Sequence, residues 1–193
     1  IRRMGDKIAA RQCMLAAGIP VVPGSDASLK DLPEAVALGK HIGYPVMLKA
    51  TTGGGGRGIR RCDNEDELRR NFGRVVSEAT KAFGSADVFL EKFVASPRHI
   101  EVQILGDRFG NVVHLFERDC SIQRRHQKLV EIAPSPQLSE AQRATVCDLA
   151  VRAARAVGYQ NAGTVEFLLD PQDNFYFMEM NTRLQVEHTV TEQ

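Results

Sequence analysis

The chain has no apolar run approaching the ~18 residues that a membrane-spanning helix needs, so no helical membrane span is expected. It has almost no net charge, +1 over 193 residues. It therefore lacks the broad basic field that tracks a phosphate backbone, and nucleic acid is not expected as a main partner. Its four cysteines, Cys13, Cys62, Cys120 and Cys147, form no CxxC pair. Zinc spacing is missing and a disulfide framework is not expected. Reduced thiols in the cytoplasm, or in the mitochondrial matrix of a eukaryote, fit this pattern. The first residues lack the apolar stretch of a signal peptide. An initiator methionine is missing too, and we expect a piece of a longer protein. No internal repeat and no low-complexity tract interrupts the chain.

What remains is the composition of an ordinary globular protein, long enough to bury one core or two small ones. Residues 4–17 read as a helix stopped by Gly18 and Pro20, and 33–42 as a second, ended by Gly43. Residues 45–49 read as a buried strand, 59–62 as a short strand, and 64–83 as a long amphipathic helix capped by Asp63 or Asn64. A strand is expected over 88–93. From His99 to Leu105 the alternation is strict: Ile100, Val102 and Ile104 on one face, His99, Glu101 and Gln103 on the other. A turn at 107–111 leads to a partner strand over 112–117. Residues 139–157 read as a helix, with Ser139 and Gln142 at capping-box spacing. Strands over 163–169 and 175–180 close the series. Helices mixed with antiparallel strands argue for an α+β fold, with a soft boundary at 93–98.

Four constellations carry chemistry. The loop Thr51-Thr52-Gly53-Gly54-Gly55-Gly56-Arg57-Gly58 follows Lys49. Successive glycines let backbone N–H groups approach an anion, and a lysine adds a point charge for phosphate. It is neither a Walker A nor a Rossmann fingerprint, since no GK[ST] closes it and a strand follows it. A plain hairpin tip is the alternative. Second, a turn over 170–174 centred between Gln172 and Asp173 sets Glu166 opposite Glu179 and Thr164 opposite Asn181. Opposed carboxylates repel, and a divalent cation with hard oxygen ligands removes the conflict. With a longer turn the two glutamates would simply face solvent. Third, Asn181, Arg183, Gln185 and Glu187 alternate with Leu184 and Val186. An arginine fork can hold an oxyanion and a glutamate can act as a base, but an exposed edge strand reads the same way. Fourth, residues 118–128 form a cationic and amide run after a strand: an anion-binding loop, a solvated basic face or a nucleic-acid patch. The lack of interleaved aromatics weakens the last.

Several segments then occur in order: Arg3-Met4-Gly5-Asp6-Lys7, Lys49 with the glycine loop, Glu91-Lys92-Phe93, Pro97-Arg98-His99-Ile100-Glu101, 117–128, Gly163-Thr164-Val165-Glu166-Phe167, and 179–192. Over essentially its whole length the chain resembles the biotin carboxylase component of the biotin-dependent carboxylases, an ATP-grasp fold. The run ERDCSIQRRHQK separates it from carbamoyl-phosphate synthetases and other ATP-grasp ligases. RLQVEHTVTE, with Thr189 where acyl-CoA carboxylases usually carry proline, is most similar to pyruvate carboxylases. Thr51-Thr52 departs from the small residues or glycine of relatives and is expected to stiffen the loop.

The resemblance implies three parts: a connecting helix over 1–20, a small lid subdomain over 21–93, and a larger subdomain over 94–193. It implies that Lys7 and Lys49 contact ATP phosphates and that Gly55 and Gly56 belong to a lid over them. Glu91, Lys92 and Val94 would hold adenine, and His99, Gln123 and His126 would line the nucleotide pocket. Glu166, Glu179 and Asn181 would bind Mg²⁺ or Mn²⁺. Lys128, Arg183, Gln185 and Val186 would surround bicarbonate, with Glu187 as the base; Lys128, Arg183 and Glu187 are the catalytic set. The implied reaction carboxylates biotin through carboxyphosphate. Its partners would be a biotin carboxyl carrier domain, a carboxyltransferase and a second copy in a homo-oligomer. A complete member has chain before Ile1 and beyond Gln193, so these residues alone are expected to turn over little. The rivals are an ATP-grasp ligase acting on another acid, and a nucleotide-sensing module without catalysis.

Overall fold

The computed structural model describes residues 2–51, 58–124 and 127–193. Gly55, Gly56 and His126 of the expected nucleotide set lie outside the described residues. The described elements run α1 (Arg2–Gly5), α2 (Lys7–Ala16), α3 (Leu32–Ile42), β1 (Val46–Ala50), β2 (Ile59–Cys62), α4 (Glu65–Phe83), β3 (Val88–Lys92), β4 (Arg98–Gly106), β5 (Val112–Arg124), β6 (Gln127–Ile132), α5 (Glu140–Ala156), β7 (Asn161–Leu169), β8 (Phe175–Asn181) and α6 (His188–Glu192). Two compact units emerge. One comprises Asp6–Ile8 and Val22–Val94; the other comprises Ile1–Gly5, Ala9–Val21 and Ala95–Gln193. Among the described residues no helix is long and apolar enough to cross a membrane.

The smaller unit is an antiparallel three-stranded sheet, ordered β2-β1-β3, backed by α3 and α4. Alternation along β1 sends Val46 and Leu48 into a core with Leu68, Val75, Val88 and Leu90, and sends Lys49 to the opposite face. α4 begins where the Asn64 side chain accepts from the Glu67 N–H at 3.0 Å and ends at Gly84, whose left-handed φ of 73° suits a residue without Cβ. β3 stops at Lys92, short of the strand expected through Phe93.

The larger unit is an antiparallel five-stranded sheet, ordered β6-β5-β4-β7-β8. One face is apolar. Ile100, Val102 and Ile104 of β4 and Val165, Phe167 and Leu169 of β7 pack with Val146, Ala150 and Ala153 of α5 and with Met14 of α2. The opposite face carries His99, Glu101 and Gln103 of β4 together with Thr164 and Glu166 of β7, as period-two alternation requires.

Four expectations are corrected. Residues 4–17 form two helices, broken at Asp6, where one was expected. The run 118–128 is not a loop: β5 continues to Arg124 and β6 begins at Gln127. Arg118 is fully buried, since Glu101 of the neighbouring strand matches its charge. Residues after Asn181 are not a strand: the chain leaves the sheet and turns into α6, where the Glu187 carbonyl accepts from the Val190 N–H at 3.1 Å. The β7–β8 turn is centred on Gln172, with Leu169 opposite Phe175 and Phe167 opposite Phe177. A register shift beyond Phe177 then brings Glu179 opposite Glu166 and Asn181 opposite Thr164, the pairing expected from a different turn.

Candidate active site

The polar face of the larger sheet concentrates charge that water barely reaches. Glu101 and the Arg118 guanidinium are both 0 % exposed, and Arg118 Nε donates to Glu101 Oε1 at 2.6 Å. The other Glu101 oxygen accepts a short hydrogen bond from Lys128 Nζ. Lys128 also donates to Glu166 Oε1 at 3.0 Å and to Glu187 Oε1 at 3.2 Å. Strand register explains the convergence. Glu101 pairs with Arg118 across β4–β5 and with Glu166 across β4–β7, and Lys128 enters from β6 opposite Gln123.

Glu166 gathers further partners on this face. His99 Nε2 lies 2.7 Å from Oε2, and Asn181 Nδ2 donates to Oε1 at 2.7 Å. Gln123 Nε2 lies 2.7 Å from the other His99 nitrogen and donates to the Cys120 carbonyl. With the Gln123 amide donating to Nδ1, His99 carries its proton on Nε2 and donates it to Glu166. Burial by itself would raise the Glu166 carboxyl; the pairing with His99 and then the Lys128 charge outweigh burial and hold it down at about 2. Lys128 moves the other way. Burial opposes its charge, but Glu166 and Glu101 hold the ammonium well above the usual lysine range. The face therefore keeps a fixed carboxylate and a fixed ammonium in contact.

Among the described residues, carboxylates outnumber fixed cations here: Glu101, Glu131, Glu166, Glu179 and Glu187 face Arg118 and Lys128. The Glu131 carboxyl is pushed up by burial and by Glu187 and Glu101 beside it. Such an excess, with Glu166 and Glu179 directly opposed and the Asn181 amide alongside, is a donor set of hard oxygens that fits Mg²⁺ or Mn²⁺. The donor atoms of His99, Glu101 and Glu166 also lie within 4.8 Å of one another. Glu101, Cys120 and Glu131 form a similar group, but burial and then Glu101 raise the Cys120 thiol steeply. A neutral thiol is a poor metal ligand.

The sequence-predicted residues divide. His99, Gln123, Lys128, Glu166, Asn181 and Glu187 are joined by direct hydrogen bonds, and Glu179 stands opposite Glu166. Gln185 is buried, its Oε1 without a hydrogen-bond partner among the described residues. Arg183 is not drawn into the cluster: it is exposed and donates to the Leu184 carbonyl at 3.2 Å. Val186 is 87 % exposed. In the smaller unit Lys49 Nζ pairs with Glu91 Oε2 at 2.5 Å, while Lys92 Nζ donates to the carbonyls of Gly43 and Tyr44. Lys7 opens α2, half-buried, and Val94 follows β3. Sequence reasoning passed over Glu101 and Arg118, both fully buried. The signal for Glu101 was its central place on the polar face of the alternating strand; for Arg118 there was none, because its burial depends on a partner from another strand.

Residues 6–193 match the family described as carbamoyl-phosphate synthase L chain, ATP binding domain. The chain belongs to this family. Within it, this ATP-binding domain is 60% identical over 193 residues to a biotin carboxylase of Halalkalibacterium halodurans, covering 100% of the chain and 43% of that protein. It is 59% identical over 192 residues to the 2-oxoglutarate carboxylase small subunit of Hydrogenobacter thermophilus (100% and 41%). It is 60% identical over 191 residues to pyruvate carboxylase 1 of Caenorhabditis elegans (99% and 16%). The ATP-binding domain thus spans less than half the length of these relatives. Its fold superposes on the Campylobacter jejuni biotin carboxylase, solved as a β-γ-ATP complex, with a TM-score of 0.96 at 54% identity, covering 99% of this chain and 43% of that one. It also superposes on the biotin carboxylase domain of the Hydrogenobacter 2-oxoglutarate carboxylase, solved with MgADP, ADP and bicarbonate, with a TM-score of 0.95 at 59% identity and 99% and 42% coverage. The α+β ATP-grasp architecture and the likeness to biotin carboxylases expected from the sequence are both shown.

Proposed function

We propose that this domain, within its complete protein, uses ATP to carboxylate biotin on a carrier domain with bicarbonate. The carrying observation is Lys128. A half-buried ammonium held charged and touching Glu101, Glu166 and Glu187 is a fixed cation beside a candidate base and a candidate metal ligand. Bicarbonate entering this face would meet Lys128, and Glu187 would take its proton. The partnerless Oε1 of Gln185 offers an acceptor for a bicarbonate hydroxyl. Arg183, free of the cluster, is available to swing onto the anion as a planar fork. Attack of the deprotonated bicarbonate on the γ-phosphate gives carboxyphosphate and ADP. Carboxyphosphate then splits into CO₂ and phosphate, and the ureido nitrogen of biotin captures the CO₂ as its proton passes to the released phosphate.

Glu166, Glu179 and Asn181 would hold Mg²⁺ or Mn²⁺, which neutralises phosphate charge when bound. Lys7, Lys49, Gly55, Gly56, Glu91, Lys92, Val94, His99, Gln123 and His126 form the nucleotide set in this reading. A carboxyltransferase would complete the holoenzyme, and the relative solved as a domain dimer supports a homo-oligomer. We place the reaction in the cytoplasm, or in the mitochondrial matrix of a eukaryote.

For the final acceptor we propose pyruvate. Thr189 and the identity to pyruvate carboxylase 1 support it; the comparable identity to a 2-oxoglutarate carboxylase keeps another 2-oxo acid as the alternative. The test is ADP release by the complete protein with and without bicarbonate and free biotin. Release should require both. Glu187→Ala should lower it roughly 10²- to 10⁴-fold, the range for loss of a general base, and Arg183→Ala should also suppress it. Release indifferent to bicarbonate or biotin would mean a different acid substrate on the same fold.

A further inference from the structure

Five side chains close a ring that the proposed reaction does not account for. Glu187 contacts Lys128, Lys128 contacts Glu101, and Glu101 pairs with Arg118. Arg118 Nη1 then donates to Thr191 Oγ1 at 2.9 Å. Thr191 returns to Glu187 through one helical turn, since residues four apart share a face. Arg118 itself is locked. Its Nη1 also donates to Gln103 Oε1 at 3.0 Å and its Nη2 to Thr164 Oγ1 at 3.3 Å. A planar fork with four acceptors around it has one available orientation.

The segment that the ring secures has little else to fix it. Glu187 is the N-cap of α6 without a side-chain capping bond, and α6 is five residues long with none buried. Among the described residues, two side-chain contacts tie this turn to the sheet: Glu187 to Lys128 on β6 and Thr191 to Arg118 on β5. A single contact would leave the turn free to pivot, whereas two on one face set its orientation. A fully buried ion pair such as Arg118–Glu101 is no general source of stability, so its presence calls for another role.

We propose that Arg118 is a positioning residue for the reaction, orienting Glu187 through Thr191 and Lys128 through Glu101. The inference rests on the reading of Glu187 as the base. Arg118 touches no reacting atom; it fixes the direction from which Glu187 meets bicarbonate.

Substituting Arg118 would leave Glu101 buried and unmatched, so the primary variant is Thr191→Val, which removes the acceptor and keeps the shape. In the complete protein, bicarbonate- and biotin-dependent ADP release is measured together with the melting temperature. Thr191→Val is expected to lower kcat about tenfold, as for misplacement of a reacting group by a fraction of an ångström. KM for ATP should stay within about twofold, since ground-state nucleotide binding is untouched. The melting temperature should hold, and Thr191→Ser should restore kcat. Thr191→Val with unchanged kcat overturns the inference. So does a loss that tracks the melting temperature and is not rescued by serine, since that marks a merely structural contact. Unsubstituted protein whose ADP release ignores bicarbonate overturns the proposed function, and this inference with it.

Discussion

Glu166 accepts from His99, Lys128 and Asn181 at once, and each donor favours the ionised carboxylate over the acid. Its carboxyl titrates at about 2 in the fold against an ordinary 4.5. A folded value below the unfolded one means that its contribution to stability is complete above 4.5 and disappears as pH falls through about 2. Glu166→Gln should therefore melt below the unsubstituted protein at neutral pH. The gap should narrow from pH 4.5 downward and close near pH 2; thermal melts across that range check it. A gap constant down to pH 2 would show that the carboxylate charge is not what the three donors stabilise. Much of this site was legible one residue at a time. Lys128, Glu166, Asn181 and Glu187 were named from motifs, and they meet. Arg118 was hidden because a sequence shows a charge but not its partner: the run 118–128 read equally as an anion-binding loop, a solvated basic face or a nucleic-acid patch, and only the β4–β5 register reveals Glu101 beside Arg118.

Elements were legible where their ends carry local chemistry. Ser139 and Gln142 were expected to box the start of a helix. The Gln142 N–H donates to Ser139 Oγ at 3.2 Å, and the Ser139 N–H donates to Gln142 Oε1 at 2.9 Å. Ser139→Ala should cost about 1 kcal/mol, the usual worth of an N-cap, read as a lower urea midpoint at unchanged slope; an unchanged midpoint would mean that packing alone fixes α5. β8 was legible only in part. Its apolar residues fall at Phe175, Phe177 and Met180, and the step of three marks an extra residue in the strand. Without that bulge Met178 would oppose Glu166 and Glu179 would point into the apolar core. The opposed carboxylates thus depend on an irregularity that strict alternation conceals. The segment beyond Asn181 failed for the converse reason: four polar residues at period two imitate a strand, but among the described residues none pairs with it.

At the scale of the molecule, two apolar clusters without a shared residue underlie the two units. The boundary expected near residues 93–98 sits where a change from helix-flanked short strands to long alternating strands was visible in the chain. The assignment of Asp6–Ile8 to the smaller unit and of the rest of α2 to the larger was not, since one helical pattern covers both. Separate cores have a thermodynamic consequence, because regions that do not share buried contacts can open separately. Leu48, 0 % exposed, lies in the centre of the smaller core. Leu48→Ala should cost about 2–5 kcal/mol, transfer and cavity together. That loss should appear as faster amide exchange in Val46–Ala50, Ile59–Cys62 and Val88–Lys92, while Arg98–Gly106 and Asn161–Leu169 keep their protection. Equal acceleration in both groups of strands would mean that the units unfold as one, and that the Glu101–Arg118–Lys128 network is only as stable as the smaller core.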